Sequence, residues 1–161
     1  MTTLIELSHE MGETVEAASS AVVRINGRRR IPASGIAWSE DGLVITANHV
    51  LRRDKKITVG LADGTQASAQ LVGRDPSTDL ALLKVDAANL FTLKAAEDDA
   101  VKVGNLVLAL GRPGVSIQAT LGIVSAVGSG WRTRRGGQAD RIIQTDVLMY
   151  PGSVSYTHLT L

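Results

Sequence analysis

The chain has 161 residues, 44% hydrophobic and 20% charged, with 17 Lys and Arg against 16 Asp and Glu. That length allows one domain or two small subdomains with a real core, and the near-balanced charge excludes a whole-molecule field that would select nucleic acid or an acidic membrane. The absence of cysteine removes disulfide scaffolds, thiolate zinc sites and a cysteine nucleophile together, and the scarcity of aromatic residues leaves Val, Leu, Ile and Ala to fill the core.

Apolar residues at Leu4, Leu7, Met11, Val15, Ala18 and Val22 are three or four apart, as on one helical face. Thr3 and Glu6 stand in capping-box relation before them, so the pattern predicts a helix from about Leu4 to Ser19. Glu6, Glu10, Glu13 and Glu16 occupy the stretch where a secretory leader would carry basic and then apolar residues, and the sequence as written therefore reads as cytoplasmic. No apolar run approaches the roughly 18 residues of a membrane span, so no membrane partner is expected.

From Ala21 onward the texture is short β runs separated by Gly, Asp and Pro. A strand from Ala21 to Ile25 leads to a basic turn at Gly27–Arg30. Gly35–Trp38 and Leu43–Thr46 flank Glu40, Asp41 and Gly42, a hairpin signal with glycine where positive φ is needed. Ile57, Val59 and Leu61 alternate, Gln66–Gly73 follows, and after the Arg74–Thr78 loop comes an apolar strand from Leu80 to Val85. Residues 86–102 read as a linker. Beyond them come Leu106–Leu110, a turn at Gly111–Gly114, a strand from Ile117 to Val127, a flexible loop from Gly128 to Gly137, and a strand from Arg141 to Thr145. With no helix between them, these strands predict an all-β barrel or sandwich. The expected division is an N-terminal helix over 1–20, a first β-barrel over 21–90, a partial second barrel over 91–153, and a tail over 154–161.

Two side chains stand at junctions between polar loops and apolar strands, where a rigid scaffold holds a functional group at a cleft. These are His49, in Thr46-Ala47-Asn48-His49-Val50, and Asp79, in Asp75-Pro76-Ser77-Thr78-Asp79-Leu80-Ala81. An imidazole with a carboxylate on its far nitrogen is the base half of a nucleophilic triad. Each residue alone also has a structural reading: a hydrogen-bonded, half-buried histidine, and a cap or Asx turn after Pro76.

Taken together, these motifs resemble the trypsin-like protease domain of the HtrA (DegP/DegQ) serine proteases, from about Leu7 to Gly152. The likeness is carried by Ala33-Ser34-Gly35, Thr46–Val50, Asp75–Ala81, Gly111–Pro113 with Gly122–Ser125, and Ile143–Asp146, in the family's order. The resemblance implies two six-stranded antiparallel β-barrels with the active site between them, the second incomplete here. His49 would be the general base and Asp79 its orienting partner, in the order His, Asp, Ser. It implies polypeptide substrates, a homotrimer, and no cofactor.

After Asp146 the family continues Pro-Gly-x-Ser-Gly-Gly, whereas this chain reads Pro151, Gly152, Ser153, Val154, Ser155, Tyr156. In register the nucleophile position is Val154, with Ser153 one place early. Gly152 matches an oxyanion donor, and Leu148 matches the base of the specificity pocket, implying cleavage after small or medium hydrophobic residues. The expectation is a nearly inactive copy, truncated near Ser153 by a non-native tail; a pseudoprotease or peptide-binding scaffold is the alternative. Loss of a triad serine costs about 10⁶ in turnover.

The remaining features read more simply. His9 is a solvated helix residue and His158 lies in the tail, so no metal site is expected. Gly111 and Gly114 lack the following helix that a nucleotide-binding turn requires. The basic clusters Arg28–Arg30 and Arg132–Arg135 read as solvated loops and not as a nucleic-acid surface, since no aromatics are interleaved.

Overall fold

The computed structural model describes residues 3–27, 32–52, 56–97, 100–132 and 136–149. Helix α1 spans Leu4–Ser19, with both arms of the predicted capping box formed: the Glu6 amide donates to Thr3 Oγ1 at 3.2 Å and the Thr3 amide to Glu6 Oε2 at 2.6 Å. On its apolar stripe Leu7, Met11 and Val15 are half-buried, and Ala18 at the C-terminal end is buried.

Six strands follow: β1 (Val22–Asn26), β2 (Ala33–Ala37), β3 (Leu43–Ala47), β4 (Ile57–Gly60), β5 (Gln66–Asp75) and β6 (Leu80–Val85). All pair antiparallel and close into a barrel in the order β1-β2-β3-β6-β5-β4. Closure leaves no free edge. The interior is built from aliphatic residues, with Ile25, Ile57, Leu83, Val23, Val44, Val59 and Val85 almost wholly buried, while Trp38 and Phe91 are half exposed. An extra residue at Val72 bulges β5 against β6, bending the longest strand of the barrel around the core.

Three more strands, β7 (Leu106–Gly111), β8 (Gln118–Arg132) and β9 (Gln138–Thr145), form an antiparallel sheet in the order β7-β8-β9. The fold class is therefore the expected one: an N-terminal helix, a closed barrel, and a second β unit represented by three strands. One local expectation fails. The segment from Gly128, read as loop because of its glycines, continues β8 to Arg132, with Gly128 opposite Ile142 and Ser129 opposite Arg141. A long two-stranded ribbon satisfies its backbone through the ladder and does not need apolar side chains to do so. Arg132 is exposed, as expected, while residues 28–30 and 133–135 of the two basic clusters lie outside the described residues.

Candidate active site

The β2–β3 hairpin brings His49 into place. Gly42 closes its turn at φ +101°, where the first side-chain carbon of any other residue would lie 2.6 Å from the Val85 carbonyl oxygen. β3 then runs between β2 and β6, and the chain leaves it in a single 3₁₀ turn, Asn48–Val50. Val50 is buried as the anchor of that turn, and His49 projects outward with 40% of its side chain exposed.

Asp79 reaches the same point from the β5–β6 hairpin. Its backbone is left-handed, φ +61°, a conformation that Asp tolerates better than most residues. Three hydrogen bonds hold it there. The Asn48 amide donates to the Asp79 carbonyl at 2.8 Å, and the His49 amide to Asp79 Oδ1 at 2.9 Å. The second carboxylate oxygen, Oδ2, lies 2.6 Å from His49 Nδ1. That distance belongs to a charge-assisted bond. It fixes the tautomer with the proton on Nδ1 and leaves Nε2 as an acceptor, and Nε2 has no partner among the described residues.

The loop behind Asp79 is shaped by Asp75. Its Oδ1 accepts from the Ser77 amide at 2.8 Å and from Ser77 Oγ at 2.6 Å, and its Oδ2 from Thr78 Oγ1 at 2.7 Å. These bonds, the Ser77 hydroxyl first, lower the Asp75 pKa from 3.8 to about 2. A folded-state pKa below the unfolded one adds stability that is present above the unfolded value and lost as pH falls through the folded value. The thermal midpoint of the native chain should therefore fall between pH 3.8 and about 2, and Asp75→Asn should flatten that part of the curve. Calorimetry across the window checks this.

The second unit carries the chain toward position 154. Asp146 Oδ1 accepts from the Ile123 amide at 2.7 Å, and Thr120 Oγ1 donates to the Leu148 carbonyl at 2.8 Å, so residues 146–149 are tied along β8. Gly122 permits that approach, because a side-chain carbon there would stand 2.9 Å from the Val147 amide nitrogen and 2.7 Å from Val147 Cγ1. Gly122→Ala should cost about 1–3 kcal/mol by overpacking, read as a lower urea midpoint. Leu148 itself is 60% exposed. Gly152, Ser153 and Val154, with the tail to Leu161, lie outside the described residues.

Between the barrel and the second unit lies an apolar cavity of about 420 Å³, walled by Ile36 and Ile45 on one side and Val107, Ile143 and Val147 on the other. His49 and Asp79 do not line it. His9 is exposed on α1, and His158 lies outside the described residues. Among the described residues, no three His, Asp or Glu side chains are grouped to hold a metal ion.

Comparison with known proteins gives the arrangement its family. The family model of the trypsin-like peptidase domain matches residues 33–154. The chain belongs to this family. Proteins named "Probable periplasmic serine endoprotease DegP-like" are similar to it: one from Pseudomonas putida is 47% identical over 121 residues, 74% of this chain and 25% of that protein. One from Halomonas elongata is 44% identical over 126 residues, 78% of this chain and 26% of that protein. The crystal structure of Deg5 superposes with a TM-score of 0.79 and 28% identity over 92% of this chain and 78% of that one. The chain thus spans about a quarter of the length of the curated relatives it matches. These relatives are periplasmic by name, which overturns the cytoplasmic expectation. The acidic stretch behind that expectation is α1, a capped helix packed on a trypsin-like peptidase domain, and its composition carries no information about export.

The polar groups buried behind β3 of this trypsin-like domain, Ser34, Thr46 and Arg112, carry no sequence signal of their burial. Ser34 and Arg112 each stand in a stretch that carries the family likeness, Ala33-Ser34-Gly35 and Gly111–Pro113, which says nothing of their burial. Only the presence of a charged residue inside an otherwise glycine and proline turn hinted at a partner.

Proposed function

We propose that this chain is the core of an extracytoplasmic serine endopeptidase acting on exposed or unfolded polypeptide. His49 is the general base, Asp79 its orienting partner, and residue 154 the nucleophile position. The single observation that carries the reading is the Nδ1 to Oδ2 contact of 2.6 Å, with Nε2 left open and the Asp79 carboxylate held by the His49 amide as well. With serine at position 154, its Oγ would attack the scissile carbonyl as Nε2 takes the proton. Asp79 would stabilise the imidazolium, and the Gly152 amide would donate to the oxyanion. The leaving amine would recover the proton from Nε2, and water would repeat the cycle on the acyl-enzyme. Leu148 belongs to this proposal as the base of a pocket for small or medium hydrophobic residues. The division at residues 90 and 91 and assembly as a homotrimer belong to it through the family resemblance.

As written, valine occupies the nucleophile position, so the native chain should react slowly with a fluorophosphonate. The triple variant V154S/S155G/Y156G should label stoichiometrically, and His49→Ala in that background should remove the label. Labelling indifferent to His49, or none in the triple variant, would overturn the proposal. Peptide affinity that survives His49→Ala in a chain that never labels would favour a binding scaffold instead.

A further inference from the structure

Among the described residues, the buried polar side chains are Ser34, Thr46 and Arg112, and the three form one linked set. Arg112 follows β7 and is only 5% exposed, and burial lowers its guanidinium pKa from the ordinary range. Its side-chain acceptors are three neutral carbonyls, two on other elements and one in its own turn. Nη2 donates to the Ser19 carbonyl at the end of α1 at 2.8 Å, Nε to the Val22 carbonyl at the start of β1 at 2.7 Å, and Nη1 to Val115 in its own turn at 2.6 Å. The last turn of α1 has no basic residue of its own, so Arg112 also supplies the cation that the helix C-terminus favours. Its backbone amide donates to Ser34 Oγ at 2.7 Å, and the Ser34 carbonyl accepts from Thr46 Oγ1 at 2.9 Å.

Thr46 stands three residues before His49. On its β6 side, β3 is laddered to its end, through Thr46 opposite Ala81 and Ala47 opposite Leu80. On its β2 side the register stops at Ile36 opposite Ile45, and the Thr46 hydroxyl continues the attachment beyond that point. The strand end that seats His49 is thus tied on one flank by a ladder and on the other through Ser34 to residue 112.

We propose that Arg112 is a positioning residue: it fixes the β7–β8 turn on the α1–β1 junction and, through Ser34 and Thr46, sets the His49-bearing end of β3 relative to the second β unit. This rests on the endopeptidase reading for its catalytic consequence. Base and nucleophile position then belong to different units, and a reacting pair must be held within about 0.5 Å of its productive geometry. A buried fork that joins its own turn to both α1 and β1 fixes orientation in a way that a single contact or an apolar residue would not.

The test uses the 161-residue chain, native and as V154S/S155G/Y156G, each with Arg112→Lys, Arg112→Gln or Thr46→Val. In the native chain, amide exchange followed by NMR should accelerate about tenfold at residue 112 and at His49 in the Arg112 variants, with the Val85 amide of the barrel unchanged. Thr46→Val should accelerate His49 and spare residue 112. In the triple-variant background, kcat should fall about tenfold or more in Arg112→Gln with KM within about twofold, and Arg112→Lys should recover part of the loss. Equal acceleration at all three amides, no acceleration, or an unchanged kcat would overturn the proposal. Should Arg112→Gln fail to fold, the Arg112→Lys exchange pattern decides in the same way. A triple variant that neither labels nor turns over would sink the endopeptidase reading, while the exchange pattern still judges the role of Arg112.

Discussion

In the V154S/S155G/Y156G background, Asp79→Asn is expected to lower kcat about 10⁴-fold and to leave KM nearly unchanged. The cause is the tautomer of His49. Asp79 Oδ2 lies 2.6 Å from His49 Nδ1, so the ionised carboxylate accepts the Nδ1 proton and leaves Nε2 free to act as base. An asparagine can offer its amide NH₂ at the same place, which favours the tautomer with Nδ1 as acceptor and the proton on Nε2. The ring is then turned to the wrong task with its position intact. Amidolytic kinetics on a short hydrophobic substrate give the loss, and a far-UV spectrum checks that the fold is kept. A loss below about tenfold would mean that Asp79 anchors the turn and does not tune the base. His49→Ala should cost at least as much, and combining the two changes should add little, as expected of groups that act as a unit.

The second large effect is on folding. Gly42→Ala is expected to destabilise the chain by about 3–5 kcal/mol, since φ of +101° is strained for any residue with a Cβ and the clash is with backbone. The new carbon would meet the carbonyl oxygens of Val85 at 2.6 Å and Ala87 at 2.8 Å, neither of which can swing aside as a side chain would. The Gly42 carbonyl also accepts from the Val85 amide at 2.8 Å, so relief by moving the turn would break a barrel hydrogen bond. For a domain of this size the thermal midpoint should drop by about 6–20 °C. Gly64→Ala makes a suitable comparison: it shares a positive φ, +87°, but has open space around it, and its smaller loss isolates the backbone contribution.

Gly42 and the His49–Asp79 pair differ in how far local sequence reveals them. Gly42 was legible by local rules alone, because a glycine closing a short turn between apolar runs has few other uses. The same rules placed α1 to the residue and the limits of β6 with it, since capping chemistry and an apolar run that follows a polar loop act over a few residues. His49 and Asp79 were legible only as a pair in a motif pattern. Nothing between residues 49 and 79 says that two hairpins return to one point, a fact set by the β3–β6 pairing across the closed barrel. The extension of β8 through Gly128 was hidden for the opposite reason. Its residues carry no strand signal of their own, and the ladder to β9 alone orders them. Arg112 illustrates the hardest case. An arginine between glycine and proline reads as solvent-facing, and only the convergence of the Ser19, Val22 and Val115 carbonyls makes a buried cation tolerable there.

The left-handed backbone of Asp79 carries a consequence for how this position can vary. Two separate filters act on one codon. The backbone admits Gly, Asn and Asp with little strain and resists β-branched residues, whatever their chemistry. The imidazole requires an anion, which Glu would supply on a longer arm from a less tolerant backbone. A saturation library at residue 79 scored for soluble, folded protein should therefore return Asp, Asn and Gly together, and the same library in the V154S/S155G/Y156G background, scored for turnover, should return Asp alone. The gap between the two lists measures how much of that residue's identity is owed to conformation and how much to charge.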